Sequence, residues 1–453
     1  MSMRIVIAYS VIYHLKKLRC KLTNFKVFDL LLEISHFVYI CNQTQIKVKK
    51  EDVKYDCSYF EGHIPCKPNK KFDVQCDNCS YYDNASSSVV KLDTKESLLK
   101  EIYKICNFTK EESIQEIAKA HTGQTKILFI KLGAIGDVIR TTPLLERYKK
   151  EYGNCHFSWI THSPQVLPQN EIDLIYIWNE SSVSFLANQK FDIAINLDKD
   201  KEACMLLSLV NANKKFGFIW EDGHLNTATD KAEHKLITGI FDHISKKNTK
   251  NYLEEIFEIC HFDFNGEEYL INLNKELSNI WKKKFNKLAG EKIIIGLNTG
   301  CGLRWKTRLW PSEYWVALIK ELEKRGYFCL LMGGPDEDEM NHYYQSQTTA
   351  VYLGTFSLEE FIAITDNTDI IVTPVSMMMH IALALKKQLM LFHNIFNVHE
   401  FELYGRGIII EPTTGCDCYF GNSCKRKKRC MQDISVQDVL SNIVVLNNNL
   451  KKH

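Results

Sequence analysis

Short apolar runs alternate with longer amphipathic stretches along most of the chain. Residues 127–130 form an apolar run typical of a strand buried on both faces, and a glycine-containing turn and a helical pattern follow it. The rhythm begins again at residues 293–297, which precede another glycine-rich turn. Buried strands that alternate with helices predict open parallel sheets. We therefore expect two successive Rossmann-like α/β units, at residues 121–285 and 286–435.

The pattern changes outside these units. Residues 1–50 favour no single element, residues 51–85 indicate a small cysteine-rich module, and residues 86–120 predict a helical linker. Residues 436–453 predict a C-terminal helix and tail. Within the two units, strands are predicted at residues 156–161, 174–178, 191–197, 327–332, 369–373 and 389–392, and a helix is predicted at 377–385.

Composition narrows the class of protein. The 453 residues include 57 basic and 55 acidic side chains, so the net charge of +2 gives no reason to expect a nucleic-acid partner. With 9 prolines and 21 glycines, the chain is neither collagen-like nor of low complexity. No apolar run reaches the roughly 18–20 residues that span a bilayer.

Near the N-terminus, residues 5–13 are apolar and follow Arg4, as in an export signal. No small-residue cleavage site follows, and Lys16 and Lys17 come directly after the run. We interpret it as a strand or a short buried helix, with an export signal as the alternative. The expected compartment is the cytoplasm, where disulfides are rare.

Eight of the sixteen cysteines fall into two clusters, and the others are scattered as small buried hydrophobes would be. Four thiolates can bind zinc or iron tetrahedrally, so each cluster is a candidate structural metal site. Reduced thiols are the alternative, or disulfides if the protein is exported. The clusters are Cys57, Cys66, Cys76 and Cys79, and Cys416, Cys418, Cys424 and Cys430.

The turn after the first strand of the first unit carries candidate chemistry. Gly133 and Gly136 allow close approach of the backbone, and Asp137 follows them at the expected edge of the cleft. A carboxylate there is suited to act as a general base on an acceptor hydroxyl. The alternative is that Asp137 only caps a helix.

The corresponding turns of the second unit predict an anion site. Thr299 and Gly300 lie in a glycine-rich turn that precedes Lys306 and Arg308, and this combination suits a diphosphate. A solvated basic loop is the alternative. Glu337, which follows the next strand, is placed to accept hydrogen bonds from ribose hydroxyls, or is simply a solvated acid. No Gly-x-Gly-x-x-Gly follows a strand, which disfavours an NAD-dependent dehydrogenase.

Five segments in this order resemble motifs of glycosyltransferase family nine, the bacterial ADP-heptose heptosyltransferases. The resemblance covers roughly residues 121–440, and the segment around YFEGHIPCKP resembles an N-terminal extension of some members. The five segments are KILFIKLGAIGDVIRTTPLL (126–145), FDIAINLD (191–198), WKTRLWPSEYW (305–315), LLMGGPDEDE (330–339) and SMMMHIALALKK (376–387).

This resemblance implies a GT-B fold of two Rossmann-like domains facing a cleft. It also implies an inverting transfer of a heptose-like sugar from an ADP-sugar, without a catalytic metal. The acceptor would be a lipopolysaccharide-type glycolipid or a protein. By resemblance Asp137 is the general base, and the donor is bound by Thr299, Gly300, Lys306, Arg308, Glu337, Ser376 and His380.

The chain departs from the family at the donor site. The family commonly has Gly-Asp-Thr where this chain has Pro374, Val375 and Ser376, and its Phe-Gly-Pro-Thr turn is replaced at residues 392–395. Residues 377–379 are methionines, whose common role on an amphipathic helix is core packing. These changes leave open an alternative function, that of a catalytically decayed member that acts in binding or assembly.

The basic run KRKKR at residues 425–429 lies inside the second cysteine cluster. A run of like charges is usually a solvated surface. The sharper hypothesis is a contact with a phosphorylated glycan or with an anionic membrane, which would place the protein peripherally at the inner membrane face.

Overall fold

The computed structural model describes residue 79 and residues 123–221, 224–240, 245–302, 306–421, 423–424 and 426–450. The predictions made for residues 1–120 therefore lie outside the described residues, except at Cys79. Among the described residues, no helix has the length and apolar character that a membrane span requires.

Two six-stranded sheets organise the described chain, and each has helices between its strands. The first sheet has the order β3-β2-β1-β4-β5-β6, and the second has the order β12-β11-β10-β7-β8-β9. The strands are β1 (Thr125–Ile130), β2 (Cys155–Thr161), β3 (Leu174–Ile177), β4 (Lys190–Asn196), β5 (Asn211–Glu221), β6 (His224–Thr227), β7 (Ile294–Asn298), β8 (Phe328–Met332), β9 (Val351–Tyr352), β10 (Ile370–Pro374), β11 (Gln388–Phe392) and β12 (Gly407–Ile410).

Both sheets have the doubly wound order 3-2-1-4-5-6 when each is numbered along the chain. All pairings are parallel except that of β5 with β6, which form an antiparallel hairpin. The central strands β7, β10 and β11 are buried along their whole length, as expected for apolar runs covered on both faces. The predicted pair of Rossmann-like units is thus confirmed.

The helices cover both faces of the sheets. They are α1 (Ile135–Ile139), α2 (Pro143–Tyr152), α3 (Glu180–Ala187), α4 (Lys201–Leu209), α5 (Glu233–Ile240), α6 (Tyr252–Ile259), α7 (Lys275–Ala289), α8 (Ser312–Lys324), α9 (Asp338–Gln347), α10 (Leu358–Asp366), α11 (Met377–Ala384) and α12 (Val436–Leu450).

Helix α7 belongs with the second sheet, although the unit boundary expected at residue 285 falls inside it. Its Trp281 packs edge-on against Phe356, and the Ser278 hydroxyl donates to Asp366 at 2.6 Å. Helix α12 packs on α8 and β11, so it also covers the second sheet. The amphipathic pattern identified these helices, but it did not identify the sheet that each helix covers.

The two sheets meet where α1 packs against α11. Val138 and Ile139 of α1 belong to the same buried cluster as Met378 and Met379 of α11. Both methionines are about 1% exposed, which confirms core packing for these two positions. The contact brings the turn after β1 close to the turn after β10.

Candidate functional site

Several of the predicted site residues lie at the two points where the order of the strands reverses. In the first sheet this switch point lies between β1 and β4, and in the second sheet it lies between β7 and β10. Ligands of doubly wound sheets bind in the crevice at the carboxyl ends of the strands at such points. Asp137 follows β1, Thr299 and Gly300 follow β7, and Ser376 follows β10.

The first switch point is held by a buried ion pair. Lys131, directly after β1, contacts Asp198, just after β4, and both side chains are about 5% exposed. The second oxygen of Asp198 accepts hydrogen bonds from the backbone N–H groups of Leu132 and Gly133. Asn196 joins this network through the backbone of Asp198, at 2.9 and 3.0 Å. Asp198 therefore fixes the turn that leads into α1.

Asp137 is not the N-cap of α1, so the capping alternative is wrong. The cap position is Ala134, and Asp137 is the third residue of the helix. Its carboxylate forms an ion pair with Arg140, 2.7 Å from Oδ1 to Nη2, and its side chain is 34% exposed. The described residues donate no hydrogen bond to the other oxygen, Oδ2.

The charges around Asp137 favour its ionised form. Burial by itself would raise the pKa of Asp137, but the cations of Arg140 and Lys131 outweigh it and lower the pKa to about 2. The carboxylate is therefore ionised, and able to accept a proton, throughout the neutral pH range. Its basicity is weakened by the same two cations.

His380 lies against the helix that carries Asp137. A Cβ on Gly136 would approach His380 Cδ2 to 2.4 Å, so only glycine allows this contact. Burial, reinforced by the Arg140 cation, lowers the pKa of His380 to about 3, and the ring is neutral at pH 7. Its Nδ1 is buried and has no hydrogen-bond partner among the described residues.

Neutral polar groups form the centre of the second switch point. The buried Asn298 amide, at the end of β7, donates to the Gly300 carbonyl, to Thr373 Oγ1 and to Ser376 Oγ at 2.9–3.3 Å. Ser376 Oγ also lies 3.0 Å from Thr373 Oγ1. Asn298 thereby links the turns after β7 and β10. Sequence inspection did not identify its role, although an amide directly after a buried strand is a recognisable signal.

Glu337 fills a space that glycines leave open beside this network. Its carboxylate accepts a hydrogen bond from the Gly334 N–H at 2.9 Å. A Cβ on Gly300 would approach Glu337 Oε1 to 2.1 Å. Thr299 is also nearby and donates through Oγ1 to Asn341 Oδ1 at 3.1 Å. Glu337 thus lies close to Thr299 and Gly300.

The two predicted cations differ in their positions. Arg308 is buried and donates from Nη1 to the Val375 carbonyl and from Nη2 to the Cys301 carbonyl, at 2.9 Å for the latter. It therefore holds the turns after β7 and β10 together. Lys306, at the start of the same short 3-10 helix, is exposed.

The structure also places the residues that depart from the family pattern. Val375 is 8% exposed and provides its backbone carbonyl, not a side-chain acid, to the site. His393 is buried, and its Nδ1 lies 2.9 Å from Glu411 Oε1. Burial lowers the pKa of His393, although Glu411 opposes this effect.

Of the predicted metal ligands, Cys57, Cys66 and Cys76 lie outside the described residues, and Cys79 is a half-buried free thiol. In the second cluster the four thiols are neighbours: Cys416 lies against Cys430, and Cys418 lies against both Cys424 and Cys416. Across the described residues, no group of three or more His, Cys, Asp or Glu side chains is arranged to hold a metal ion. A site for one ion in the second cluster would require these thiols to turn from their present positions.

The basic run beside these cysteines is partly neutralised. Arg426 pairs with Asp417 at 2.7 Å, and Lys428 pairs with Asp433 at the same distance. Lys427 and Arg429 are exposed. These pairings favour a solvated surface and leave less positive charge for an anionic partner.

Comparisons with known proteins agree on the fold. Residues 183–406 match the model of glycosyltransferase family 9 (heptosyltransferase). A family 9 glycosyltransferase from Veillonella parvula is 20% identical, with a TM-score of 0.57 over 72% of this chain and 97% of its own. E. coli ADP-heptose lipopolysaccharide heptosyltransferase II is 17% identical, with a TM-score of 0.56 over 72% of this chain and all of its own. No protein with a curated description matches the chain.

Proposed function

From the glycosyltransferase family 9 domain that this chain carries, we propose an inverting transfer of a heptose-like sugar from an ADP-sugar to an acceptor hydroxyl. The match of residues 183–406 to glycosyltransferase family 9 supports a glycosyltransferase of the heptosyltransferase type. The nucleotide, the sugar and the mechanism are the proposal. The acceptor is a glycolipid of the lipopolysaccharide type or a protein.

The observation that carries this proposal is the contact between the two switch points. Through Gly136 and His380, the helix with Asp137 packs directly on the helix that begins after Ser376. A donor bound at the β7/β10 turns would thus lie across the cleft from Asp137. The family match begins at residue 183, so the role of Asp137 depends on this geometry and on the motif at residues 126–145.

Asp137 is suited to the proton transfer that such a reaction requires. The acceptor oxygen attacks the anomeric carbon, the bond from that carbon to the ADP oxygen breaks, and the hydroxyl proton passes to the carboxylate. Oδ2 receives no hydrogen bond from the described residues, whereas Oδ1 is held by Arg140. The proposed reaction includes no catalytic metal, as the family resemblance implies.

The second switch point supplies the donor contacts. Glu337 is placed for the ribose hydroxyls, beside the turn formed by Thr299 and Gly300. By resemblance to the family, Ser376 and His380 would lie at the donor phosphates, and His380 Nδ1 has no hydrogen-bond partner among the described residues. Arg308 shapes this site by holding two turns together, and Lys306 is the exposed cation at its rim.

The test is transfer from an ADP-activated heptose, compared with the UDP-activated sugar, onto a lipid-linked and a protein acceptor. We expect product from the ADP donor only, with inversion at the anomeric carbon. Absence of transfer from any nucleotide sugar, together with equal or absent binding of ADP and UDP, would favour the decayed member that acts in binding or assembly. Val375 would then be the first position to restore to aspartate.

We also propose that the cysteine clusters bind structural zinc or iron, which for the second cluster requires the neighbouring thiols to turn toward a common ion. Four thiolates are sufficient for a tetrahedral site. Metal analysis of protein purified without added metal is the test. Less than about half an equivalent of zinc plus iron would contradict both sites.

A further inference from the structure

Two carboxylates from different domains share the guanidinium of Arg140. Nη2 lies 2.7 Å from Asp137 Oδ1, and Nη1 donates to Glu400 Oε1 at 2.8 Å. Glu400 ends the short 3-10 helix Val398–Glu400, which follows β11 of the second sheet. The contact therefore joins residues that are 260 positions apart in the sequence.

We propose that Glu400 is a positioning residue for Asp137. By holding Nη1, it prevents Arg140 from forming a fork, that is two parallel hydrogen bonds, with the Asp137 carboxylate. Oδ2 therefore stays free for the acceptor hydroxyl. This inference rests on the proposed function, since it concerns the same base.

The unused donor of Arg140 supports this assignment. Nε is buried and has no hydrogen-bond partner among the described residues, which is costly for a charged group. Arginine prefers to pair with a carboxylate through two parallel bonds. To form a fork on Asp137, Arg140 would have to donate from a second nitrogen. The hydrogen bond from Nη1 to Glu400 opposes this movement.

The position of the guanidinium is further restricted by Tyr252. The Arg140 Cζ lies 3.4 Å from the centre of the Tyr252 ring, and the Arg140 side chain is only 14% exposed. Stacking fixes the plane of the guanidinium but leaves it free to slide within that plane. Glu400 determines where in the plane it stops.

Glu400 is held in place independently of Arg140. Asn397, which begins its 3-10 helix, donates from Nδ2 to the carbonyls of Ser245 and Asn248, at 2.7 Å each. The same Asn397 side chain caps the element by accepting from the His399 N–H at 3.0 Å. Glu400 is thus presented to Arg140 by a segment already attached to the first domain.

Other charged and titratable groups face this network. Asp137 is faced by Lys131 and His380 as well as by Arg140. Glu400 is faced by Tyr269 and His393 in addition to Arg140. Tyr269 and His380 are neutral at pH 7, because burial raises the pKa of Tyr269 well above its usual value and lowers that of His380. Because Asp198 neutralises Lys131, Glu400 and Arg140 are the remaining charges that determine the position of the Asp137 carboxylate.

The first experiment compares crystal structures of the wild type and of Glu400→Ala, and it requires no substrate. Glu400 has a partly exposed side chain, so its removal leaves the core intact. In the variant we expect Arg140 to contact both oxygens of Asp137. The matched control is Glu268→Ala, which removes another acid from an ion pair, with Arg406 at 2.6 Å, and should leave Arg140 unmoved. An unchanged single contact in Glu400→Ala overturns the proposal.

The second experiment measures steady-state transfer. Glu400→Ala should lower kcat about tenfold, a typical coupling for a shared charge network, and leave the donor KM unchanged. Lysine cannot form a fork, so in an Arg140→Lys background the loss of Glu400 should cost little. An equal loss in both backgrounds, or a rise in KM alone, contradicts the positioning role. If Asp137→Asn transfers sugar normally, the proposed base is wrong, whereas the structural comparison still decides what Glu400 does to Arg140.

Discussion

The two switch points occupy equivalent places in their sheets but hold charge differently. At β1/β4, two ion pairs dominate, Lys131 with Asp198 and Arg140 with Asp137. At β7/β10, the central groups are the amide of Asn298 and two hydroxyls, and the buried cation of Arg308 donates to two backbone carbonyls. A group that must accept a proton needs fixed charges around it, whereas a pocket for a ligand that brings its own charge needs oriented dipoles and space. This difference is expected if the first switch point carries the general base and the second binds the donor.

Removal of the basicity of Asp137 is expected to have the largest effect. Asp137→Asn keeps the shape of the side chain, so transfer should fall at least about a hundredfold, since general-base catalysis contributes roughly 10²–10⁴-fold. Steady-state kinetics with the ADP donor measures this loss. Asp200→Asn is the matched control, because Asp200 is an exposed carboxylate just after β4. Near-normal turnover of Asp137→Asn would show that the charged switch point does not perform the chemistry.

A methyl group at Gly136 should separate the two switch points. In Gly136→Ala the new Cβ would meet the His380 ring at 2.4 Å, so α1 and α11 must move apart. Overpacking of this kind costs about 1–3 kcal/mol in the free energy of unfolding, which urea denaturation measures. The double variant Gly136→Ala/His380→Ala makes room for the methyl group and should recover part of the loss. Wild-type stability of the single variant would mean that the helices do not pack as described.

The free energy of unfolding at acidic pH should show that His380 is uncharged in the folded protein. Its pKa is about 3 in the folded protein and 6.5 in an unfolded chain, so between these values the unfolded chain binds more protons. Its contribution to stability is complete above pH 6.5 and falls with decreasing pH, by at most about 1.4 kcal/mol per pH unit. His380→Gln should flatten the unfolding profile between pH 6.5 and pH 5. The exposed His342→Gln should not, and equal profiles for both variants would contradict the buried neutral ring.

The sequence predicted the strands at both switch points because each is an apolar run, and a glycine-containing turn follows β1 and β7. It predicted Asp137 and Glu337 because each follows a strand end, whereas Ser376 was predicted from the family resemblance. It did not predict Glu400, because a contact between residues 140 and 400 has no local signature. Nor did the positive charge of Arg308 show that its guanidinium bonds to two carbonyls of neighbouring turns.

The affinity for ADP tests the division between the two switch points most directly. Calorimetry on the wild type, on Asp137→Asn and on Asn298→Ala compares one change at each point. We expect Asp137→Asn to bind ADP as the wild type does, and Asn298→Ala to bind about tenfold more weakly, because loss of the amide leaves buried hydroxyls and a carbonyl without a donor. UDP should bind more weakly than ADP to the wild type. Equal weakening by both variants, or equal binding of ADP and UDP, would contradict the account.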